Sequence, residues 1–304
     1  MAWLHNNKED FYDAINMAAE KYGIIPSAIE KDYYVTLILK ELSESLGFVV
    51  FKGGTSLSKC HKVIKRFSED IDIAIDIAIS QGQKKKLKEA IKDIAENIGL
   101  RIPNIEDIRS RNNYNRYILE YDTVISEPDN ALQNAVLMET SFAEISFPTI
   151  MMPVHSYIGD LIGDEEPERL KEFDLEIFEM KVQEIDRTLA DKVFAICDYY
   201  MQNKVKKHSR HIYDIYKLLQ KVPQTGEFKT LVKIVRKERA QTNICPSAQP
   251  GVDVPKMLKQ IIKNEVYKED YDSITIKLLE EQVLYETAID AIIKIAESDI
   301  FAED

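Results

Sequence analysis

Apolar residues recur every three or four positions over residues 8–21 and 27–46, and this spacing predicts two amphipathic helices. The short apolar run at 48–51 is rich in aromatic and β-branched residues and predicts a buried strand. This strand leads into Lys52-Gly53-Gly54, where the two glycines predict a tight turn. Another helix is predicted over 55–65, so a strand, a glycine turn and a helix follow one another along the chain.

The next segment alternates in polarity with the period of a strand. Residues 70–77 are Asp-Ile-Asp-Ile-Ala-Ile-Asp-Ile, which predicts a strand with one polar face and one apolar face. A helix is predicted over 82–98, and further strands are predicted over 116–123, 134–147 and 176–183. Together these segments predict an α+β core with a mixed or antiparallel sheet.

The pattern becomes helical after this core. Thr188-Leu189-Ala190-Asp191 resembles a capping box, which would start a helix there. The chain is therefore predicted to have N-terminal helices (1–46) packed on an α+β core (47–187), followed by a C-terminal helical domain (188–304), and its 304 residues are consistent with two units. The helices predicted in the last domain cover 189–203, 208–221, 228–240, 255–267 and 273–298, with a Pro- and Gly-containing loop at 242–255.

Cysteine usage and hydropathy suggest where the protein works. Cys60, Cys197 and Cys245 form no CxxC pair, which argues against a disulfide framework and a zinc knuckle and favours a reducing, cytoplasmic environment. The sequence contains no stretch of about 18 apolar residues, so we expect no membrane partner.

The formal net charge of −12 disfavours a protein that coats nucleic acid, because such binding depends on neutralising many phosphates. Three basic runs stand against this charge, and each one alone is typical of a solvated helix face. A local nucleic-acid surface remains a hypothesis for each run. The runs are Lys84-Lys85-Lys86 with Lys88, then Lys204, Lys206, Lys207 and Arg210, then Arg236-Lys237 with Arg239.

Ring side chains in the helical regions have a structural and a functional interpretation. Six tyrosines are able to stack on a base or on RNA, but their helical spacing favours core packing for most of them: Tyr33, Tyr34, Tyr199, Tyr200, Tyr213 and Tyr216. His208 and His211 are one helical turn apart, yet no matching Cys or His pair accompanies them. We therefore expect surface histidines rather than a zinc site.

The glycine turn is a candidate phosphate-binding loop. Gly53 and Gly54 allow the backbone to approach a triphosphate closely. The hydroxyls of Thr55 and Ser56, with the first amides of the following helix, are suited to donate hydrogen bonds to phosphate oxygens. The loop is not a Walker P-loop, because GxxxxGK[ST] is absent.

Asp70 and Asp72 are two residues apart on a predicted strand, so both carboxylates would face one side and bind a divalent cation, Mg²⁺ or Mn²⁺. A glycine turn alone is usually structural, and a DxD alone is usually a solvated strand face. The two motifs in this order are more specific. They predict a transferase that moves a nucleoside monophosphate from an NTP to an acceptor hydroxyl, with pyrophosphate leaving.

A third metal carboxylate is expected from a neighbouring strand. Glu139 is the first candidate, and Glu120 and Glu144 are competitors. An ordinary strand glutamate is the alternative interpretation of Glu139. Asp76 continues the face of Asp70 and Asp72, and we expect an exposed residue at the strand end.

These motifs resemble those of the nucleotidyltransferases of the DNA polymerase β superfamily, and the chain resembles more narrowly the AbiEii/AbiGii toxin family. The narrower resemblance implies a polymerase β-like core that transfers nucleotides from an NTP. It also implies a toxin of a type IV toxin-antitoxin or abortive-infection system, with RNA, and tRNA in particular, as acceptor class and a cognate antitoxin encoded nearby. The blocks that carry it are Ile29-Glu-Lys-Asp-Tyr-Tyr-Val-Thr36, Lys52-Gly-Gly-Thr-Ser-Leu-Ser-Lys59, Arg66-Phe-Ser-Glu-Asp-Ile-Asp72, Thr188-Leu-Ala-Asp-Lys192 and Arg210-His-Ile-Tyr-Asp-Ile-Tyr-Lys217.

By the same resemblance, Lys192 and Asp214 join Asp70 and Asp72 as catalytic positions. Lys192 is suited to stabilise charge on the leaving pyrophosphate. Asp214 is suited to orient Lys192 or to act as a base toward the acceptor hydroxyl, and an interhelical salt bridge is the structural alternative. Arg66 either binds phosphate or pairs with Glu69. His211 stands where family members often have an acidic residue.

Two other functions are compatible with these residues. One is an NTP-binding regulatory module that acts through a protein partner, and the other is a nucleotidyltransferase that modifies a protein or a small molecule. The intact pair of Asp70 and Asp72 disfavours the first, because a binder needs fewer metal carboxylates.

Overall fold

A computed structural model of the chain describes residues 3–75, 80–126, 132–142 and 148–303. The chain divides into two compact units. The first unit comprises Met1–Cys60 and Glu69–Val182, and the second comprises His61–Ser68 and Gln183–Asp304. The N-terminal helices therefore belong to the same unit as the sheet. The segment His61–Ser68, which the sequence pattern placed in the core, belongs to the helical unit.

The first unit combines helices with one sheet, and short 3-10 turns occupy Leu4–Asn6 and Ile105–Asp107. Its helices are α1 (Lys8–Tyr22), α2 (Pro26–Ser45), α3 (Gly53–Lys59), α4 (Gln81–Ile98), α5 (Tyr157–Glu165) and α6 (Arg169–Glu172). Its strands are β1 (Val49–Lys52), β2 (Ile71–Ile75), β3 (Tyr114–Glu120), β4 (Ala135–Phe142), β5 (Thr149–Val154) and β6 (Phe178–Gln183).

The strands form a six-stranded sheet in the order β3-β4-β2-β1-β6-β5. β1 pairs antiparallel with β2, and β3 pairs antiparallel with β4. β2 pairs parallel with β4, and β1 pairs parallel with β6. The prediction of an α+β fold with a mixed sheet is confirmed.

The alternating sequence of β2 separates the two faces of the sheet. Ile71, Ile73 and Ile75 are buried in the main core of the first unit. Successive side chains of a strand point to opposite faces, so Asp72 and Ala74 face the other side. On that side Ala74 pairs in register with Val50, and these two residues form a separate small apolar cluster.

Helices α2 and α4 pack on each other, and their ends follow capping rules. Ser80 and Gln83 form a reciprocal capping box that starts α4, and Gly99 ends it in the left-handed conformation with φ +80°. α2 starts with Pro26 in its first turn, where the missing amide costs no helical hydrogen bond. Local residues thus set these helix bounds near the predicted positions.

The second unit is helical in its Gln183–Asp304 part, apart from connecting segments. Its helices are α7 (Ile185–Met201), α8 (Arg210–Leu219), α9 (Gly226–Arg239), α10 (Val254–Lys263), α11 (Lys268–Ser273) and α12 (Tyr285–Glu297), with 3-10 turns at Pro246–Ala248 and Thr275–Leu278. None of the helices within the described ranges is long and apolar enough to span a membrane.

The predicted extents of two helices are wrong. The helix predicted over 55–65 ends at Lys59, and the single helix predicted over 273–298 is broken before α12. The Phe67 amide donates to the Leu278 carbonyl (3.1 Å), and the Glu280 amide donates to the Lys65 carbonyl (3.0 Å). Arg66 and Leu279 thus form an isolated antiparallel bridge, which excludes an α-helix at these two positions.

Helix α11, which lies between the predicted helices 255–267 and 273–298, is absent from the sequence prediction together with three elements of the first unit, and one cap was misplaced. β5, α5 and α6 were missed; β5 has exposed Ile150 and Met151 side by side, so its pattern does not alternate. The capping box at Thr188 is wrong, because α7 already begins at Ile185 and the Thr188 hydroxyl donates to the Glu184 carbonyl (3.1 Å). The predicted strand ends at 76–77 and 143–147 lie outside the described residues.

Candidate functional site

The glycine turn lies directly against a carboxylate of the acidic pair. Gly53 has φ +80°, and a Cβ atom added there would lie 1.9 Å from Oδ2 of Asp72. The left-handed backbone therefore disfavours a side chain at this position, and an added Cβ would displace the Asp72 side chain. The structure brings the predicted phosphate loop and one predicted metal carboxylate into contact within the first unit.

The hydroxyls predicted to bind phosphate make hydrogen bonds within the protein. Thr55 Oγ1 donates to the carbonyl of Asp70 (2.6 Å), which ties α3 to the residue just before β2. Ser56 Oγ donates to the carbonyl of Gly53 (2.9 Å). Both side chains are buried, whereas Gly53 and Gly54 are partly exposed. The accessible part of the loop is its glycine backbone, and direct phosphate contact by the two hydroxyls stays a prediction.

A row of four charged residues crosses the sheet beside this turn. Asp72 pairs in register with Lys52 of β1 and with Glu139 of β4, and Glu139 pairs with Arg116 of β3. Side chains of residues directly opposite one another in neighbouring strands lie on the same face. The row Lys52–Asp72–Glu139–Arg116 therefore places two carboxylates side by side between two cations, on the face that carries Ala74.

The register favours Glu139 over the competing glutamates. Glu120 lies four residues beyond Arg116 on β3, and its carboxylate is 3.7 Å from the Arg101 guanidinium. Glu144 and Asp76 lie outside the described residues. Asp70 directly precedes β2, so it is adjacent to the strand rather than part of it.

Two residues of β3 hold Glu139, and the sequence pattern gave no sign of them. Arg116 Nε lies 3.8 Å from Glu139 Oε1, with 52% of the arginine side chain exposed. Tyr114 is half exposed, and its partial burial first, then its interaction with Glu139, raises the pKa of the tyrosine above its usual range. Only the register between β3 and β4 brings these residues beside Asp72 and Glu139, the two residues of the acidic row.

The acidic row has the donor chemistry for a divalent cation. Mg²⁺ prefers oxygen ligands and is usually bound by one or two carboxylates together with substrate phosphates and waters. Asp72 and Glu139 supply two neighbouring carboxylates, and the partly exposed Gly53 lies against one of them. Among the residues that the structure describes, no three His, Cys, Asp or Glu side chains are grouped to hold a metal. The fit therefore rests on the neighbouring pair, and the three-carboxylate site remains a prediction.

The second unit contains a buried cluster of three charged residues. Arg66 donates through Nε and Nη2 to the two oxygens of Asp214, at 2.7 Å each. Lys192 Nζ donates to Asp214 Oδ2 at 2.7 Å. All three side chains are buried, and Asp214 is 0% exposed. Two cations share one carboxylate, so the cluster carries one net positive charge.

This geometry bears on the two roles considered for Asp214. Burial opposes its ionisation, but Arg66 and Lys192 outweigh burial and hold the pKa of Asp214 far below the usual range. A carboxylate with so low a pKa, and with both oxygens engaged, is a weak proton acceptor. The structure therefore favours Asp214 as the group that orients Lys192 and Arg66. The interhelical ion pair between α7 and α8, the structural alternative for Lys192 and Asp214, is present.

His211 completes the surroundings of Lys192. Its Nδ1 lies 3.4 Å from Lys192 Nζ. Burial, followed by the charge of Lys192, lowers the pKa of His211 well below its usual value, so the imidazole is neutral and its Nδ1 accepts a hydrogen bond from the Lys192 ammonium. His208 stacks on Tyr199 with ring centroids 3.6 Å apart. The expectation of two surface histidines is wrong, because both rings are partly buried and engaged.

Comparison with known proteins adds to this geometry. The model of the family described as "Nucleotidyl transferase AbiEii toxin, Type IV TA system" matches residues 37–294. Among solved structures, MenT4, a nucleotidyltransferase toxin from Mycobacterium tuberculosis H37Rv, is similar, with a TM-score of 0.52 and 16% sequence identity. The likeness covers 95% of this chain and 90% of that chain, and at this identity it bears on the fold alone. A search of the curated proteins found no match.

The stretch that matches the family model contains the glycine turn, the acidic row and the buried cluster. It covers far more than half of the chain, and the fold is that of a nucleotidyltransferase toxin. The chain belongs to the AbiEii family of nucleotidyltransferases, the toxins of type IV toxin-antitoxin systems.

Proposed function

We propose that this enzyme transfers a nucleoside monophosphate from an NTP to RNA, with tRNA as the expected acceptor class, and that it depends on a divalent cation, Mg²⁺ or Mn²⁺. The observation that carries the proposal is the contact between Gly53 and Asp72, with Glu139 in register beside it. A loop open to phosphate and a pair of carboxylates for a cation are the two parts that nucleotidyl transfer requires.

Each residue of the first unit has a role that follows from its position. The backbone of Gly53 and Gly54 approaches the triphosphate, while the hydroxyls of Thr55 and Ser56 keep the loop in shape. Asp72 and Glu139 hold the cation, with Asp70 as the third carboxylate. The bound cation would neutralise phosphate charge and favour ionisation of the acceptor hydroxyl.

The buried cluster of the second unit supplies positive charge for phosphate oxygens. Lys192 and Arg66 bear this charge, and Asp214 keeps both side chains in place. Because Asp214 is a weak base, we do not assign it proton transfer from the acceptor. The family implies a cognate antitoxin, and we propose that a neighbouring gene encodes it.

The test is incubation of the purified protein with labelled NTPs, Mg²⁺ and total RNA. We expect labelled RNA with the wild type, and a loss of about a hundredfold or more in rate with Asp72→Asn or Glu139→Gln, because a small misplacement of the reacting groups costs about that much. Chelation of the metal should abolish transfer, and added Mn²⁺ should restore it.

The same incubation separates the other functions. A labelled protein or small molecule without labelled RNA would indicate a different acceptor. Tight NTP binding with no product on any acceptor would indicate a regulatory module. Equal transfer by the wild type and Asp72→Asn would refute the assigned site.

A further inference from the structure

The segment that joins α7 to α8 has a local charge opposite to that of the whole chain. From Tyr199 to Tyr213 the sequence contains Lys204, Lys206, Lys207 and Arg210 and no Asp or Glu, although the chain has 52 acidic residues in 304. The three lysines are exposed and the arginine is half-buried. Such a stretch in an acidic protein is suited to a polyanion.

The shape of this segment is held by hydrogen bonds from the rest of the unit. Lys207 has a left-handed backbone, with φ 67°, which is unfavourable for a residue with a side chain. The buried carboxylate of Asp270 accepts hydrogen bonds from the amides of Lys207 (2.7 Å) and Ser209 (3.1 Å). The Ser209 hydroxyl also bonds to the Thr275 hydroxyl at 2.7 Å. The lysines are therefore presented from an ordered loop.

Beside this loop the rings of Tyr199, His208 and His211 form a stack. Tyr199 and His208 are nearly parallel, with 10° between their planes and centroids 3.6 Å apart. His211 lies 6.1 Å from His208 at 12°, and it reaches Lys192 through Nδ1. The stack thus connects the basic loop with the buried cluster of the same unit.

Electrostatics indicate that the histidines of the stack are neutral and that cations lie near them. Burial, and then Arg210, lowers the pKa of His208. Arg210 also lowers the pKa of His211 and of Lys192, whereas Asp214 raises both pKa values and Asp270 raises that of His208. Flat neutral rings among cations are the combination with which proteins bind single-stranded nucleic acid.

The other basic runs have different surroundings. Arg236 donates to the carbonyls of Val252 and Phe301, and Arg239 pairs with Asp191 and Asp198, so both arginines serve the interior of the unit. The run Lys84-Lys85-Lys86 lies on α4 among exposed acidic residues of the same helix. This mixture is typical of a solvated helix face.

We infer that the loop bearing Lys204, Lys206 and Lys207, together with Arg210 and the Tyr199–His208 stack, binds the single-stranded end of the acceptor RNA. The cations contact its phosphates, and the stack supports a base. The inference rests on the proposed function, because it names the surface that would hold the RNA acceptor.

The experiment measures RNA binding by fluorescence anisotropy, without NTP, over a series of salt concentrations. The probe is a labelled RNA hairpin with a four-nucleotide single-stranded 3′ end, and the same hairpin with a blunt end is the comparison. The test variant replaces Lys204, Lys206 and Lys207 by alanine. The matched control replaces Lys84, Lys85 and Lys86 by alanine, which removes the same charge elsewhere on the surface.

We expect the test variant to reduce the steepness of log K against log salt by about 2, since each single-strand phosphate contact contributes about 0.7. The control should keep the wild-type slope, and replacement of the same three lysines by arginine should restore it. His208→Ala should weaken binding of the single-stranded end about fivefold or more, and binding of the blunt hairpin less.

Equal slopes for the test and control variants, or equal binding of both hairpins by the wild type, would overturn the inference. So would weaker binding of a labelled NTP by the test variant, because the surface would then hold a triphosphate. Absence of label transfer to RNA by the wild type would refute the proposed function instead, and that measurement is independent of anisotropy.

Discussion

Replacement of Gly53 by alanine tests whether the glycine turn positions the acidic row. Gly99 is a matched control, because it has the same φ of +80° and an added Cβ there would meet nothing within 4 Å. An alanine in the left-handed region costs about 1–2 kcal/mol at either position. Both variants should therefore lose about this much of their free energy of unfolding through the backbone alone.

Only Gly53→Ala also displaces a functional side chain. Its Cβ would lie 1.9 Å from Asp72 Oδ2, and ordinary contact begins at 3.4 Å, so the carboxylate oxygen must move by about 1.5 Å. A misplacement of about 1 Å near reacting groups can cost about a hundredfold in rate. We expect Gly53→Ala to lose about a hundredfold in nucleotidyl transfer, while Gly99→Ala keeps its rate.

The assay pairs urea unfolding at neutral pH with the initial rate of label transfer from NTP, measured where both variants are folded. The comparison separates a general loss of stability from a specific loss of geometry. If Gly53→Ala transferred label as fast as Gly99→Ala, the contact between the glycine turn and Asp72 would have no catalytic importance. The reasoning about the site would then be wrong.

Three further predictions concern the buried cluster. Asp214→Asn leaves Arg66 and Lys192 buried without a carboxylate, so urea unfolding should show a loss of about 3–5 kcal/mol, and a loss below about 1 kcal/mol would contradict this. The pKa of Asp214 is depressed in the folded protein, so the ionised carboxylate stabilises the fold fully above the ordinary Asp pKa of about 4, and this stabilisation is lost as the pH falls toward the folded-state pKa. In thermal unfolding, the melting temperature of the wild type should therefore fall more steeply below about pH 4 than that of Asp214→Asn. Parallel curves for the two proteins would exclude this linkage. His211→Asp adds a second carboxylate beside Lys192 and removes the net positive charge of the cluster, so the KM for NTP should rise severalfold. His211→Asn has a similar size and no charge, so its KM should stay near that of the wild type. The same KM for both variants would count against a role of charge.

Most of the fold in the first unit was predictable because local patterns encode it. The helices α1, α2 and α4 start and end within a residue or two of the predicted positions, since their caps and apolar stripes lie within each segment. β2 and the glycine turn were predictable for the same reason. β5, with exposed apolar residues and no alternation, lacked such a pattern.

The functional residues divide in the same way. Gly53, Gly54, Asp70 and Asp72 lie close together in sequence, so their spacing alone indicated a phosphate loop and a metal site. Arg116 and Tyr114 were missed, because their relation to Glu139 depends on the register of β3 against β4. The role of Arg66 was left open, because its partner Asp214 is 148 positions away.

The sequence by itself determined the α+β class, the order of strand, glycine turn and acidic strand, and the chemistry that these residue types support. These features depend on neighbours within a few positions, where periodicity and turn preferences act directly. The tertiary structure alone decided that His61–Ser68 joins the helical unit, that Asp72 and Glu139 lie side by side, and that Asp214 neutralises part of the charge of Arg66 and Lys192. Those outcomes depend on pairing between segments far apart in the chain, and the free energy of such pairing comes from burial and register that no local pattern records.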